Sequence, residues 1–191
     1  MRIIHTRLAG AVIIEPRVHE DDRGFFLETW RRASYAGAGL PEEFAQDNVA
    51  VSVRGVLRGL HYQWPRPQGK LIQALTGQVH DVGVDLRVGS PTFGQSISVV
   101  LSSENRRQLY LPEGFAHGYA VISDTALVAY KCTTAYEPAA DRAVRWNDPQ
   151  LGIVWPFQSP ILSAKDAAVP CLADIPRDEL PSIAWPAAIP A

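Results

Sequence analysis

Cysteine is scarce: Cys132 and Cys171 are the two in a chain of 191 residues, and neither has Cys-x-x-Cys or Cys/His zinc spacing. That excludes a disulfide framework and makes a reduced, cytoplasmic setting the simplest reading. Long apolar runs are missing as well. Nothing approaches the roughly 18 residues a membrane helix needs. The N-terminal MRIIHTRLAGAVIIEPR is broken by His5, Arg7, Glu15 and Arg17, so it has no signal-peptide core. An excess of one charge is also absent, since 18 Lys and Arg stand against 20 Asp and Glu for a net charge of −2. No global field recruits nucleic acid or a membrane, and an anionic ligand must be held by a local cluster of Arg or Lys. Helical periodicity is confined to RRASYAGAG (Arg31–Gly39) and SAKDAA (Ser163–Ala168), each good for a turn or two.

What the chain has instead is short Val-, Ile-, Leu- and aromatic-rich segments, punctuated by 15 Pro and 14 Gly. Breaks at intervals of about 8–12 residues are the pattern of an all-β sandwich or barrel. The predicted strands are 11–15, 25–30, 48–53, 55–63, 70–75, 78–87, 94–102, 107–112, 117–123 and 126–134. LTGQ reads as a tight turn between two of them, and SDT as a short hairpin loop. The expectation is one domain over residues 1–191, a jelly roll or similar barrel of two antiparallel sheets with a few short helical turns. Residues 171–191 form a Pro-rich tail whose Trp185 and Ile189 suit it to lie against a surface or a second subunit.

Polar residues inside strands carry the chemistry. RGVLRGLHYQ threads Arg54, Arg58 and His61 among apolar residues, where cations are costly to bury without partners. Strict alternation puts Arg58 and His61 on opposite faces unless Gly59 marks a bulge. A lone strand histidine is more often a core residue bonded to a carbonyl, but here Lys70 opens the next strand. LPEGFAHGY contains Pro-x-Gly-x-x-His (Pro112, Gly114, His117), similar to the second metal-binding motif of cupins. The matching first motif is reduced to His61-Tyr62-Gln63, and His80 falls where a strand faces outward. Catalytic metal sites usually take three protein ligands, so the stronger reading has no metal and no cofactor. Tyr130 shares a strand face with Val128 and Cys132; when buried, its hydroxyl needs a partner.

Taken in order, DDRGFFLETW, QDNVAVSVRGVLRGLHYQ, QGKLIQALTGQVHDVGVDLR, LSSENRRQLYLPEGFAHGYAV, YKCTTAYEP and ILSAKD resemble the dTDP-4-dehydrorhamnose 3,5-epimerase family, over about residues 1–170. The resemblance implies a homodimeric, metal-free cupin acting on dTDP-4-dehydro-6-deoxy-D-glucose. It implies His61 as general base, Asp166 as the carboxylate that orients it, Tyr130 as proton donor and Lys70 as the cation beside the ketone. It also implies substrate contacts from Arg23, Glu28, Gln46, Asp47, Asn48, Arg58, Lys70, His117 and Lys165, with Tyr136 stacked on thymine. Asp141 stands where the family has a Glu that contacts the nucleotide.

Those roles suit the chemistry. Inverting a carbon beside a ketone removes a proton from one face and delivers one to the other. Histidine, with an ordinary pKa of about 6.5, is both free and basic near neutral pH. A lysine is most useful where charge builds on the ketone oxygen, a tyrosine stays protonated, and arginine forks match a diphosphate. Three other readings remain open: a C3- or C5-only monoepimerase, a metal-dependent cupin enzyme, and a non-catalytic sugar-nucleotide-binding module.

Overall fold

Alternating apolar and polar side chains in short β-branched segments can be satisfied by two facing sheets, and the computed structural model, which describes residues 1–182, has that arrangement. In chain order the first strands are β1 (Arg2–His5), β2 (Val12–Glu15), β3 (Val18–Asp21), β4 (Gly24–Leu27), β5 (Gln46–Val53) and β6 (Leu57–Gln63). They continue with β7 (Lys70–Thr76), β8 (Gln78–Asp85), β9 (Ser96–Ser102), β10 (Gln108–Leu111), β11 (Phe115–Val121), β12 (Thr125–Cys132) and β13 (Asp141–Ala143). Among the described residues, two short helices, α1 (Arg32–Ala36) and α2 (Ala164–Ala167), complete the regular structure with three 3₁₀ turns.

One sheet has the order β1-β2-β10-β7-β12-β5 and faces a second, β13-β6-β11-β8-β9; β3 and β4 form a separate hairpin. Every neighbouring pair of strands is antiparallel. This is the all-β jelly roll expected from the sequence. Each predicted strand is present. β1, β3 and β13, which the sequence pattern did not reveal, are three or four residues long and rich in polar side chains.

SDT is not a hairpin loop. Val121 ends a strand of the second sheet and Thr125 begins one of the first, so the loop crosses between sheets. Ser123 fixes this corner, its Oγ accepting from Gln78 N at 2.7 Å and donating to Thr125 O at 2.7 Å. The LTGQ turn makes the neighbouring crossing from β7 to β8. Gly77 is needed there, with φ +73° and room for no Cβ, which would fall 2.1 Å from Thr125 O.

Between the sheets, Ile72, Val79, Leu101, Leu109, Leu111, Phe115, Val121 and Val128 fill one end of the sandwich. Helix α1 covers the outer face of the first sheet through Tyr35 on Val12, Ile14, Leu71 and Tyr110. Leu172, Ile175 and Leu180 cover the second sheet at Leu60, Val82, Val84 and Leu86. The first part of the predicted tail is thus packed on its own sheet, and Val88 N donates to Pro181 O at 2.7 Å. Trp185 and Ile189 lie outside the described residues. With one end filled, the other end of the sandwich is left for polar side chains.

Candidate active site

A cavity of about 290 Å³ opens at that end, lined from both sheets by His61, Lys70, Tyr130, Gln46, Asn48, Tyr136, Asp141 and Lys165, with Tyr62, Gln63, Gln68 and Cys132. His61 comes from β6 in one sheet; Lys70 and Tyr130 come from β7 and β12 in the other. Register explains their company. On the first sheet Lys70 pairs with Cys132 and Ile72 with Tyr130, so Lys70, Tyr130 and Cys132 share the inner face.

Gly59 resolves the alternation problem. His61 lies opposite His117 and Arg58 opposite Tyr119, so three steps on β6 match two on β11 and the extra residue is a bulge. His117 and Tyr119 are on one face of β11, and Arg58 and His61 therefore share a face of β6. Gly59 has φ +126°, and a Cβ would sit 2.5 Å from Gly118 Cα and 2.8 Å from His117 O. Only glycine fits.

His61 Nε2 lies 2.6 Å from Asp166 Oδ1, with the imidazole 34% exposed and the carboxylate 4%. Asp166 is presented by α2, whose N-cap Ser163 accepts from the Asp166 backbone N–H at 3.0 Å. Burial pushes the Asp166 carboxyl up, but hydrogen bonds and charge from His61, with those from Ser163 and the Gly59 backbone, outweigh it and hold it below its usual 3.8. A charged carboxylate on Nε2 fixes the proton there and leaves Nδ1 as the basic nitrogen of a neutral ring.

Burial lowers Lys70 below its usual 10.5, only partly offset by Cys132, Asp141 and Asp81. Its side chain makes no hydrogen bond or ion pair among the described residues, so its donors are available to a ligand. Burial raises Tyr130 above its usual 10.0, and it stays a phenol at neutral pH. Burial likewise raises Cys132, leaving a thiol 3.7 Å from Asn48 Nδ2 rather than a thiolate.

At the mouth, Asp141 Oδ2 accepts from Tyr136 Oη at 2.9 Å and from Lys165 Nζ, while Gln46 Oε1 accepts from Tyr136 N at 2.7 Å. Arg58 is exposed, donates to Ser52 Oγ at 2.9 Å and has no carboxylate within ion-pair distance among the described residues. His117 is buried behind the cavity, its ring 6.4 Å from that of Tyr130, with Nε2 3.0 Å from both oxygens of Asp81.

Arg58, His117 and Asp166 stand around this cavity without lining it, and three other sequence-predicted residues are turned elsewhere. Arg23 is at the tip of the β3–β4 hairpin, 90% exposed and paired with Asp21. Glu28 pairs with Arg31 at 3.2 Å. Asp47 alternates to the outer face of β5, where Lys131 holds it at 2.9 Å. His80 packs edge-on against Trp155, ring centroids 5.7 Å apart, while its neighbour Asp81 faces inward. Among the described residues no group of three His, Cys, Asp or Glu side chains converges as metal ligands would. Gln63, Gln68 and Asp81 were not read as site residues from the sequence. Asp81 had a faint signal: it is the acid in QVHDVGVD that alternates with His80.

Residues 5–174 match a family model described as dTDP-4-dehydrorhamnose 3,5-epimerase. The chain belongs to that family. A relative of that name from Methanothermobacter thermautotrophicus is 51% identical over 168 residues, covering 86% of this chain and 91% of the relative. Among solved structures, the dTDP-6-deoxy-D-glucose-3,5-epimerase RmlC from Legionella pneumophila, in complex with dTDP-4-keto-L-rhamnose, superposes with a TM-score of 0.93 at 47% identity. It covers 96% of this chain and 99% of that one. ChmJ, a 3′-monoepimerase from Streptomyces bikiniensis in complex with dTDP-quinovose, gives 0.86 at 39% identity, covering 93% and 91%.

Proposed function

We propose that this member of the epimerase family converts dTDP-4-dehydro-6-deoxy-D-glucose to dTDP-4-dehydro-L-rhamnose by inverting C3 and C5 beside the C4 ketone. One observation carries the reading: His61, held by Asp166, and Tyr130, beside a Lys70 that has no ion pair among the described residues, enter one cavity from opposite sheets. His61 Nδ1 takes the proton α to the ketone. Lys70 offsets the charge that gathers on the ketone oxygen, in a site where burial strengthens that interaction. Tyr130 returns a proton on the other face of the ring, and the imidazolium is stabilised by Asp166. Arg58 and His117 take the diphosphate, and Tyr136, Asp141 and Lys165 take the nucleoside.

The same reading includes a homodimer. Edge strand β5 turns Val49, Val51 and Val53 outward at 65%, 64% and 53% exposure, and the β3–β4 hairpin exposes Phe25 and Phe26 at 57% and 70%. An apolar edge of this kind is normally covered. Arg23 and Glu28, expected to touch substrate yet outside their own chain's cavity, reach it if the hairpin serves the second copy. A cytoplasmic location completes the reading, supported by the two free thiols Cys132 and Cys171. No described helix is long and apolar enough to cross a membrane.

A second reading, inversion at C3 alone, is favoured by the likeness to the 3′-monoepimerase. Incubating the purified protein with dTDP-4-dehydro-6-deoxy-D-glucose and following the sugar protons by NMR tests both. The L-rhamno product supports double inversion, a C3 epimer the second reading, and unchanged substrate neither.

A further inference from the structure

Lys70 has no hydrogen bond or ion pair to steady its ammonium among the described residues, so its aim depends on its backbone. Its place in the sheet makes that hold weak. It is the first residue of β7, and it pairs with Leu111, the last of β10, and with Cys132, the last of β12. All three strands stop at this rung, and the residue before it is Gly69, whose backbone is the least restrained of any residue type. Strand ends of this kind open locally at little cost.

Side chains take over where the ladder ends. Thr133 N donates to Gly69 O at 3.0 Å, and Gly69 N donates back to Thr133 Oγ1 at 2.9 Å. The threonine hydroxyl gives its single proton to Glu113 Oε1 at 2.6 Å, which leaves a lone pair for the Gly69 N–H. Glu113 lies in the corner between β10 and β11, and Thr133 directly follows β12, so the three chain segments around Lys70 are tied together. The tie is close. A Cβ on Gly69 would lie 3.1 Å from Glu113 Oε1, Thr133 Cγ2 and Tyr110 Oη alike. Further out, Gln68 Nε2 donates to Thr134 O at 2.7 Å and Thr134 Oγ1 to Pro67 O at 3.0 Å, lacing the β6–β7 loop to the same segment. Neither Glu113 nor Thr133 lines the cavity.

We propose that Glu113 and Thr133 are positioning residues for the reaction: they fix Gly69, and through it the direction in which Lys70 enters the cavity. This rests on the assignment of Lys70 to the ketone oxygen and extends it to residues that never touch substrate. Glu113 acts by orienting a hydroxyl. Without an acceptor for its proton, Thr133 Oγ1 is free to turn its hydrogen toward the Gly69 N–H, and the bond that holds Gly69 is lost.

Glu113→Ala removes the acceptor, and Glu113→Gln keeps an oxygen in its place. In Glu113→Ala, kcat should fall roughly 10–100-fold, the scale of a misplaced catalytic group, with the dTDP dissociation constant near that of wild type. Glu113→Gln should restore most of the rate. In a Lys70→Ala background, Glu113→Ala should slow turnover no further, a coupling that general loosening of the fold would not produce. A wild-type kcat in Glu113→Ala would overturn the proposal. So would an equal fractional loss without Lys70, or a Glu113→Gln as slow as Glu113→Ala. Should Glu113→Ala fail to fold, the near-isosteric Thr133→Val and the hydroxyl-keeping Thr133→Ser decide. Loss of rate in Val with recovery in Ser supports the tie, and equal rates in the two refute it. A Lys70→Ala as fast as wild type sinks the assignment of the lysine, and the tie with it. A slow Lys70→Ala beside a fast Glu113→Ala overturns the tie alone.

Discussion

Arg58 and His61 lie on the same face of β6 although three positions separate them, because the residue inserted at Gly59 turns the strand by one step. An anion-binding guanidinium and a basic imidazole thereby come from a single strand. Gly59→Ala should show what this depends on. With φ at +126° and backbone atoms of Gly118 and His117 within 2.8 Å of the new Cβ, the strand must shift. The expected loss of stability is at least about 2 kcal/mol, measured by denaturant unfolding, and any folded remainder should have lost turnover along with register.

Asp166→Asn leaves an amide of the same shape against His61 Nε2. The amide can present its N–H, selecting the tautomer with the proton on Nδ1, where the base must be free. kcat should fall by roughly 10²–10⁴, the contribution of a positioned general base, while the dTDP dissociation constant stays near that of wild type. A kcat within twofold of wild type would remove the carboxylate from the mechanism.

Lys70 must be charged to stabilise the enolate, and burial lowers its pKa below 10.5, whereas Tyr130 is raised above 10.0. The active forms are the ammonium and the phenol, so kcat should decline as pH rises through a value below 10.5, and the decline belongs to the lysine. Lys70→Arg, whose guanidinium does not titrate in this range, should be slower but without that alkaline decline. If the same limb persists in Lys70→Arg, another group is responsible.

Acid stability depends on a different part of the molecule. Asp85 is buried, which raises its pKa, yet bonds from Arg87, Ser90 and Thr92 bring it below 3.8. A carboxylate lowered in the folded state contributes stability that is present above its unfolded value and is lost as pH falls through the folded one. Thermal unfolding should therefore be steady above about pH 5 and fall steeply below 3.8. Asp85→Asn should lower the melting temperature at neutral pH and flatten that acid slope.

Much of this was legible in the sequence because alternation and glycine placement are local signals. LRGLHYQ carried both the strand and the bulge, and AVIIE and QVHDVGVD carried their strands. Two kinds of information were not local. Loop length alone could not tell whether SDT turns back within a sheet or crosses to the other. The His61–Asp166 pair spans 105 positions, so only the family resemblance brought the two together. Asp81 escaped for a related reason: alternation separated it from His80 but did not say which face was inside.

The most direct measurement is solvent deuterium uptake by dTDP-4-dehydro-6-deoxy-D-glucose, followed by ¹H NMR for wild type, His61→Ala and Tyr130→Phe. Wild type should label C3 and C5 and invert both, His61→Ala should label neither, and Tyr130→Phe should exchange without inverting. Wild-type labelling rates in His61→Ala, or inversion undiminished in Tyr130→Phe, would contradict the pairing of an imidazole base and a phenol donor across one cavity.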